Sequence, residues 1–265
     1  MMKRLSILDL QRKKQEKEKI VALTAYDATF AALVDEASDI VLVGDSLGMV
    51  IQGKENTLSV SLEDMMYHTR AVDQKLKKAH LVTDMPFLSY QVSMEKAIES
   101  AGRLLQAGAQ SVKLEGGEEV CDLVHRLTRL GMPVMGHLGL TPQSIHQLGG
   151  YRVQGKEERK KDELLKDAKR LEEAGAYAVV LESIPEDLAN DITKNLRIPT
   201  IGIGAGRDCD GQILVIYDLL GMDVSFHPKF VKRYAHLSQT IEEALKNYAQ
   251  EVKSGLFPDD SHVFH

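Results

Sequence analysis

Eight short apolar runs, each followed by a turn signal and then a helical pattern, constrain the fold of this chain more than any other feature. The runs are almost continuously apolar rather than alternating, which is typical of parallel strands that are covered on both faces. Strands that alternate with helices indicate repeated strand–helix units. The runs are Ile20–Ala25, Ile40–Val43, His80–Thr83, Ser111–Leu114, Pro133–Gly136, Ala178–Leu181, Thr200–Ile203 and Asp223–Phe226.

Eight such units favour a closed (β/α)₈ barrel, known as a TIM barrel. This fold typically occupies about 250 residues as one domain, so the 265-residue chain is expected to form a single catalytic domain over residues 1–265. An internal repeat supports the barrel, because Leu104–Glu115 and Leu171–Glu182 are identical at seven of twelve positions. The repeat places Glu115 and Glu182 at equivalent strand ends. A doubly wound open sheet is the alternative.

Capping residues locate the helices between the predicted strands. Ser61 and Ser93 each precede a helical pattern, and serine is a preferred N-cap residue. Glycines follow three of the helical patterns, at Gly108, Gly131 and Gly175, where a helix commonly ends in a left-handed residue.

Composition excludes several classes of protein. Apolar residues make up 43% and charged residues 27% of the chain, which allows a sizeable core. The net charge of −6 disfavours a nucleic-acid partner. Two cysteines cannot form a disulfide framework, which favours a reduced, cytoplasmic compartment. The charged stretch at residues 11–19 leaves no room for a signal peptide, and no run approaches about 20 apolar residues, so we expect no membrane partner.

Four acidic residues stand at the carboxyl ends of predicted strands, where barrel enzymes carry their active sites. Lys113 points to the same side of its strand as Glu115, and a lysine inside a barrel is costly unless it is paired. His137, near the end of the fifth run, joins the same rim. Separate helix caps and salt bridges are the alternative interpretation. The four acids are Asp45, Asp84, Glu115 and Glu182.

A cluster of carboxylates predicts a bound cation, because several negative charges held close together repel one another. The available ligands are oxygen atoms, which favours a hard ion such as Mg²⁺, with some of the carboxylates acting through water. Such a site leaves positions open for a chelating 2-oxo acid. The ion would then polarise the keto group and stabilise an enolate.

Three further segments allow two interpretations each. Gly202–Gly206, at the end of the seventh run, is either a phosphate cradle or a tight turn. The long connections at residues 44–60 and 139–155 are either lids or plain surface excursions. His227, beside the eighth run, is interpreted as a structural residue.

Taken together, these motifs closely resemble the ketopantoate hydroxymethyltransferase family, also called the 3-methyl-2-oxobutanoate hydroxymethyltransferases. The resemblance runs from about residue 5 to the end of the chain, and the combination of motifs is highly specific although each motif alone is not. The motifs are Thr24-Ala-Tyr-Asp27, Val43-Gly-Asp-Ser-Leu-Gly48, Lys113-Leu-Glu-Gly-Gly117, Gly136-His-Leu-Gly-Leu-Thr-Pro-Gln143, Gly149-Gly-Tyr-Arg-Val-Gln-Gly155, Ile201-Gly-Ile-Gly-Ala-Gly206 and Asp210-Gly-Gln212.

The resemblance implies a (β/α)₈ barrel of the phosphoenolpyruvate/pyruvate type, usually assembled as a homo-oligomeric decamer. The implied reaction, a step of pantothenate biosynthesis, transfers a hydroxymethyl group from 5,10-methylenetetrahydrofolate to 3-methyl-2-oxobutanoate, giving 2-dehydropantoate. One Mg²⁺ per subunit would serve as cofactor.

The family's site residues map onto this chain through the same motifs. The resemblance implies Asp45, Asp84 and Glu115 as the Mg²⁺-site carboxylates. It implies Ser46 and Lys113 as substrate contacts, with Asp45 and Asp84 touching the substrate as well. Glu182 is the implied catalytic proton acceptor, and His137 is a possible additional site residue.

Two rival functions remain at this stage. A Mg²⁺-dependent carbon–carbon lyase or mutase could act on a 2-oxo acid with the same kind of barrel and needs no folate. A metal-stabilised scaffold or binding module is the non-enzymatic alternative. It is disfavoured because an inward lysine and four clustered acids would cost stability without serving chemistry.

Overall fold

The barrel predicted from the sequence is confirmed by a computed structural model, which describes residues 4–223 and 228–264. Eight parallel strands follow one another around the barrel in chain order, and the first strand closes the ring by pairing with the last, Ile20 opposite Gly211. The open-sheet alternative is therefore excluded. The strands are β1 (Ile20–Thr24), β2 (Ile40–Val43), β3 (His80–Asp84), β4 (Ser111–Lys113), β5 (Val134–Gly139), β6 (Ala178–Glu182), β7 (Thr200–Ile203) and β8 (Gly211–Leu214).

The eighth strand of the barrel lies at a different place in the sequence from the one predicted. Asp223 lies outside any strand, and residues 224–226 of that prediction lie outside the described residues, as does His227. The strand that closes the barrel is instead β8, which pairs with both β7 and β1. It begins with a glycine and its side chains alternate between buried and more exposed, so it lacks the continuous apolar run by which the other seven strands were found.

Helices follow most strands, and their predicted caps are confirmed. The Ser61 side chain accepts a hydrogen bond from the Asp64 backbone, and the Asp64 side chain accepts one from the Ser61 backbone. The Ser93 side chain accepts a hydrogen bond from the Lys96 backbone. Gly175 ends its helix in the left-handed conformation. The helices of the barrel are α1 (Ile7–Gln15), α2 (Ala28–Val34), α3 (Leu47–Val50), α4 (Leu62–Asp73), α5 (Met94–Gln106), α6 (Cys121–Arg129), α7 (Ile145–Leu148), α8 (Glu158–Ala174) and α9 (Glu186–Asn195), with 3₁₀ helices at Glu118–Val120 and Pro142–Ser144.

The chain divides into two compact units. The first, Met1–Val215, contains the whole barrel, and the second, Ile216–His265, contains α10 (Ile216–Leu220), α11 (Leu237–Ser254) and a 3₁₀ helix at Asp260–His262. The extension of one catalytic domain over residues 1–265 stays a prediction. None of the helices in the described part of the chain has both the length and the apolar character that a membrane crossing needs.

Buried polar groups at the amino end of the barrel form a directed hydrogen-bond chain. His80 Nδ1 lies 3.0 Å from the Leu5 carbonyl, which can only accept, so Nδ1 carries the proton. His80 Nε2 then accepts from Ser111 Oγ at 2.9 Å, and the Tyr177 hydroxyl donates to Ser111 at 2.9 Å. Burial lowers the pKa of His80 from 6.5 to about 4, so the ring is neutral in the folded protein at neutral pH.

This chain of hydrogen bonds predicts that the folded protein loses stability in acid. Because His80 titrates near 6.5 once unfolded but near 4 when folded, unfolding is favoured as the pH falls through that interval. The contribution amounts to about 3 kcal/mol at its largest. We expect His80→Asn to remove this part of the pH dependence, measured as the free energy of urea unfolding between pH 4 and pH 7. The same substitution at the exposed His146 is the control, and parallel pH curves for His80→Asn and the unchanged protein would contradict the assignment.

Candidate active site

Asp45 and Asp84 are brought together by the neighbouring strands β2 and β3. The backbone N–H of Asp45 donates to Asp84 Oδ2 at 3.0 Å, and both carboxylates are buried. Burial, followed by the negative charges of Asp84 and Glu115, raises the pKa of Asp45 well above its usual range. Burial also raises the pKa of Asp84, although Lys113 opposes that shift. The neighbouring cationic groups therefore do not fully compensate the negative charges of Asp45 and Asp84.

Lys113 is the inward-pointing lysine predicted from the sequence, and it is paired. Lys113 lies opposite Asp84 in the register of β3 and β4, and its Nζ lies 2.8 Å from Asp84 Oδ1. Burial disfavours the ammonium ion, but the charges of Asp84, Glu115 and Asp45 outweigh it and raise the pKa of Lys113. Lys113 is therefore charged at neutral pH, and its pairing offsets the cost of burial.

His137 lies between two of the predicted carboxylates. Its Nδ1 is 3.5 Å from Glu115 Oε1, and its Nε2 is 3.2 Å from Glu182 Oε2. Burial and the neighbouring Lys113 lower the pKa of His137, but hydrogen bonds with Glu115 and Glu182 prevail and raise it to about 9. His137 Nδ1 also lies 3.3 Å from Lys113 Nζ, and the lysine can only donate in this contact.

Glu182 differs from the other acids in its exposure. Its side chain is 15% exposed, whereas those of Asp84 and Glu115 are 4% exposed. Glu182 ends β6, and the next residue, Ser183, has a left-handed backbone at φ 49°, so the chain turns sharply directly after the carboxylate. Of the four acids in the cluster, Glu182 is the one best placed to meet a molecule that enters from the barrel mouth.

The Ser46 side chain contacts a residue other than the acids, the lysine and the histidine described above. Its hydroxyl is 2.9 Å from the Tyr26 hydroxyl at the end of β1. The backbone before it is tightly packed, since a Cβ at Gly44 would lie 2.8 Å from Ser46 Oγ. The structure thus links six predicted residues through direct contacts and places the seventh, Ser46, beside them. The linked residues are Asp45, Asp84, Lys113, Glu115, His137 and Glu182.

The charges of this cluster do not balance. Four carboxylates face the Lys113 ammonium and the His137 ring, so at least two negative charges remain if all four acids are ionised. Asp84 Oδ1 is already paired with Lys113 Nζ at 2.8 Å, so the excess negative charge lies on the remaining carboxylates of the cluster. Across residues 4–223 and 228–264, however, no three His, Cys, Asp or Glu side chains converge closely enough to hold a metal ion by themselves.

Two residues of this site were not identified from the sequence. Gln143 donates through its side chain to Asp45 and through its backbone to Glu115, and Tyr90 contacts both Gln143 and the Glu115 backbone. Gln143 belongs to one of the family motifs, which was the only available signal. Tyr90 had none, because it lies in a loop whose path depends on tertiary contacts.

Gly202–Gly206 forms a tight turn. A Cβ at Gly206 would lie 2.4 Å from Glu186 Cγ, and the Gln212 side chain donates to the Gly206 carbonyl at 2.8 Å. The side chain of Glu186 therefore packs where a phosphate cradle would need space. This packing favours the tight-turn interpretation of the segment.

Gly139 is a further constraint on the site. Its φ is 95°, and a Cβ there would lie 2.2 Å from the Glu182 carbonyl oxygen. We expect Gly139→Ala to displace the end of β6 and to lower the free energy of unfolding by about 1–3 kcal/mol or more. Gly149→Ala is the matched control, because Gly149 also has positive φ, at 67°, but no atom within 4 Å of the added carbon. Equal losses for the two variants, measured by urea unfolding, would show that close packing against Glu182 is unimportant.

Solved structures of other proteins share this barrel fold. The barrel aligns with phosphonopyruvate hydrolase, crystallised with oxalate and Mg²⁺, at a TM-score of 0.64 and 13% identity, covering 98% of this chain and 91% of that one. It also aligns with 2,3-dimethylmalate lyase of the PEP mutase/isocitrate lyase superfamily, at a TM-score of 0.62 and 14% identity, covering 97% and 91%. The chain is thus a (β/α)₈ barrel with the architecture of that superfamily.

Sequence comparison identifies the family. The family model for ketopantoate hydroxymethyltransferase matches residues 4–260. A 3-methyl-2-oxobutanoate hydroxymethyltransferase from an Anaeromyxobacter species is 57% identical, covering 99% of this chain and 88% of the relative. Another, from Thermotoga neapolitana, is 55% identical, covering 96% and 94%. The chain belongs to the ketopantoate hydroxymethyltransferase family and is accordingly a transferase of pantothenate biosynthesis.

Proposed function

We propose that the enzyme transfers a hydroxymethyl group from 5,10-methylenetetrahydrofolate to 3-methyl-2-oxobutanoate, giving 2-dehydropantoate. The observation that carries the proposal is the unbalanced carboxylate cluster, with the more exposed Glu182 beside three deeply buried acids. Together they suit the two tasks of this reaction. One is to hold a 2-oxo acid by its oxygen atoms, and the other is to remove a proton from the adjacent carbon.

Mg²⁺ fits the donor set, which consists of hard carboxylate oxygens with an excess of negative charge. We propose that Asp45, Asp84 and Glu115 hold it. Because no three His, Cys, Asp or Glu side chains among the described residues are close enough to hold one ion by themselves, part of this coordination would pass through water, which Mg²⁺ commonly retains. When bound, the ion supplies a Lewis acid that polarises the keto group and stabilises the enolate charge.

The protein's own groups would orient the substrate and move its proton. Lys113 and the Ser46 hydroxyl are proposed to bind the oxygen atoms of the keto acid, with Asp45 and Asp84 also in contact with it. Glu182 would accept the proton from C3, and the His137 N–H, 3.2 Å away, would hold the Glu182 carboxylate in orientation. The carbon nucleophile then forms the new carbon–carbon bond to the one-carbon unit of the folate. The two carbon–nitrogen bonds to that carbon break, water supplies the hydroxyl oxygen of the product, and the two folate nitrogens regain protons from that water and from C3, giving tetrahydrofolate.

The half-reaction without folate tests this function. Incubated in D₂O with Mg²⁺ alone, the enzyme should exchange the C3 proton of 3-methyl-2-oxobutanoate, and adding methylenetetrahydrofolate should convert the exchanging acid to 2-dehydropantoate. Both steps are followed by proton NMR. Cleavage or rearrangement of a 2-oxo acid without folate would instead support the lyase or mutase alternative. Absence of both exchange and condensation would contradict the proposal.

A further inference from the structure

Gln143 occupies the centre of the buried polar network beneath the candidate active site. It lies in the 3₁₀ helix Pro142–Ser144 and is 6% exposed. Its side-chain nitrogen donates to Asp45 Oδ2 at 2.8 Å and to the Met85 carbonyl at 2.9 Å. Both N–H groups of the amide are therefore used, one of them on a carboxylate of the cluster.

The orientation of this amide is fixed from its other side. Gln143 Oε1 is 2.9 Å from the Tyr90 hydroxyl and 3.2 Å from Gln91 Nε2, both of which can donate. Turning the amide over would place its oxygen against the Met85 carbonyl, which cannot donate. The side chain is thus locked with its donors toward Asp45.

The backbone of the same residue holds a second carboxylate. The Gln143 N–H donates to Glu115 Oε2 at 2.9 Å. One residue therefore clamps two of the three acids proposed to receive the ion, although Asp45 and Glu115 follow different strands. Hydrogen bonds to ionised carboxylates are among the stronger ones in proteins, and partners of metal-site ligands set the orientation of those ligands.

The loop that carries Gln143, at residues 139–155, is also attached at the proposed proton acceptor. The Leu140 N–H donates to the Glu182 carbonyl at 2.8 Å, and the Gln154 N–H donates to the Ser183 carbonyl at 2.9 Å. The two ends of the loop are thereby anchored beside Glu182, while Gln143 donates hydrogen bonds to Asp45 and Glu115. The loop is an integral part of the site and not a plain surface excursion.

We propose that Gln143 is a positioning residue, which fixes the Asp45 and Glu115 carboxylates in the arrangement that binds the divalent ion and couples loop 139–155 to that ion. This inference rests on the proposed function, because it assumes that the cluster binds Mg²⁺. It assigns no bond-making step to Gln143, which acts only through the two carboxylates.

Gln143→Met tests the proposal, since methionine keeps the length and volume of the side chain but removes both donors. We expect a loss of about 10–100-fold in Mg²⁺ affinity, the usual effect of removing a partner of a metal ligand, measured by isothermal titration calorimetry. Gln143→Glu should lose more, because it places another negative charge against Asp45. Gln154→Met is the matched control, since its side-chain amide lies in the same loop but bonds to the Arg152 carbonyl.

The exchange assay separates positioning from loss of fold. At saturating Mg²⁺, Gln143→Met should regain most of the wild-type kcat for C3 exchange, with the defect appearing as a raised requirement for Mg²⁺. A merely structural role would lower the unfolding midpoint without changing Mg²⁺ affinity in the folded fraction. If the Gln143 variants do not fold, Tyr90→Phe removes the hydroxyl that contacts both the Gln143 amide and the Glu115 backbone, and it should weaken Mg²⁺ binding in the same direction.

The outcomes distinguish this inference from the function on which it rests. Wild-type protein that binds no Mg²⁺ would overturn both. Wild-type binding together with unchanged Mg²⁺ affinity in folded Gln143→Met, or in Tyr90→Phe where that variant is needed, would overturn the role of Gln143 alone. A loss confined to the Gln143 and Tyr90 variants, with Gln154→Met unaffected, supports it.

Discussion

Replacing Glu182 with glutamine is expected to slow the C3 proton exchange of 3-methyl-2-oxobutanoate by about 10²–10⁴-fold, the usual contribution of a positioned base. Glutamine retains the shape of the side chain and can still contact His137, but it has no carboxylate to accept a proton. Because the three buried acids and Lys113 are untouched, substrate binding should change little. Exchange is measured by NMR in D₂O with Mg²⁺, and binding by calorimetric titration.

The control for this variant is Glu186→Gln, the same change at the start of α9. Glu186 contacts Arg207 and lies outside the cluster, so its loss should leave the exchange rate unaltered. Near-normal exchange in Glu182→Gln would show that Glu182 is not the proton acceptor. A large rise in substrate Kd with an unchanged rate at saturation would instead make Glu182 a binding residue.

Removal of Mg²⁺ is expected to have the other large effect. A Lewis acid at the keto oxygen is worth several kcal/mol of stabilisation, so chelation by EDTA should slow exchange by about 10³-fold or more. Added Mg²⁺ should restore the rate. Exchange that continues undiminished in EDTA, after dialysis into metal-free buffer, would show that Lys113 and His137 are sufficient to stabilise the charge.

The same ion should be visible in the stability of the protein, independently of catalysis. The carboxylates are close together only in the folded state, so Mg²⁺ should bind that state and raise the free energy of unfolding. The increase should be about 2.7 kcal/mol at a Mg²⁺ concentration of one hundred times its Kd. Asp84→Asn removes one of these charges and should abolish most of that increase. An equal increase in Asp84→Asn would place the stabilising ion elsewhere.

The sequence was most informative where the backbone alone determines position. In a barrel of parallel strands, every strand end lies on the same rim, so a residue at a strand end could be placed without knowing any side-chain contact. Asp84 and Glu182 were found in this way, and each is the last residue of its strand. The inward lysine was a second signal of this kind, since a buried ammonium requires a carboxylate partner.

The sequence was less informative where position depends on tertiary closure. Strand β8 was missed because it begins with a glycine followed by a polar residue, and so lacks the continuous apolar run expected of a strand covered on both faces. Gln143 and Tyr90 were missed because their contacts with Asp45 and Glu115 arise only when two separate loops fold over the rim. The 3.2 Å contact between His137 and Glu182 likewise depends on the side-chain conformations of adjacent strands, which periodicity does not determine.

Diffraction from crystals loaded with Mn²⁺ in place of Mg²⁺, and with 3-methyl-2-oxobutanoate, would locate the ion and the keto acid relative to Glu182. We expect one anomalous peak within about 2.5 Å of a carboxylate oxygen of Asp45 or Asp84, with the keto acid on the ion and its C3 facing Glu182. Absence of a peak at this rim, or an ion bound elsewhere with the keto acid remote from Glu182, would contradict this expectation.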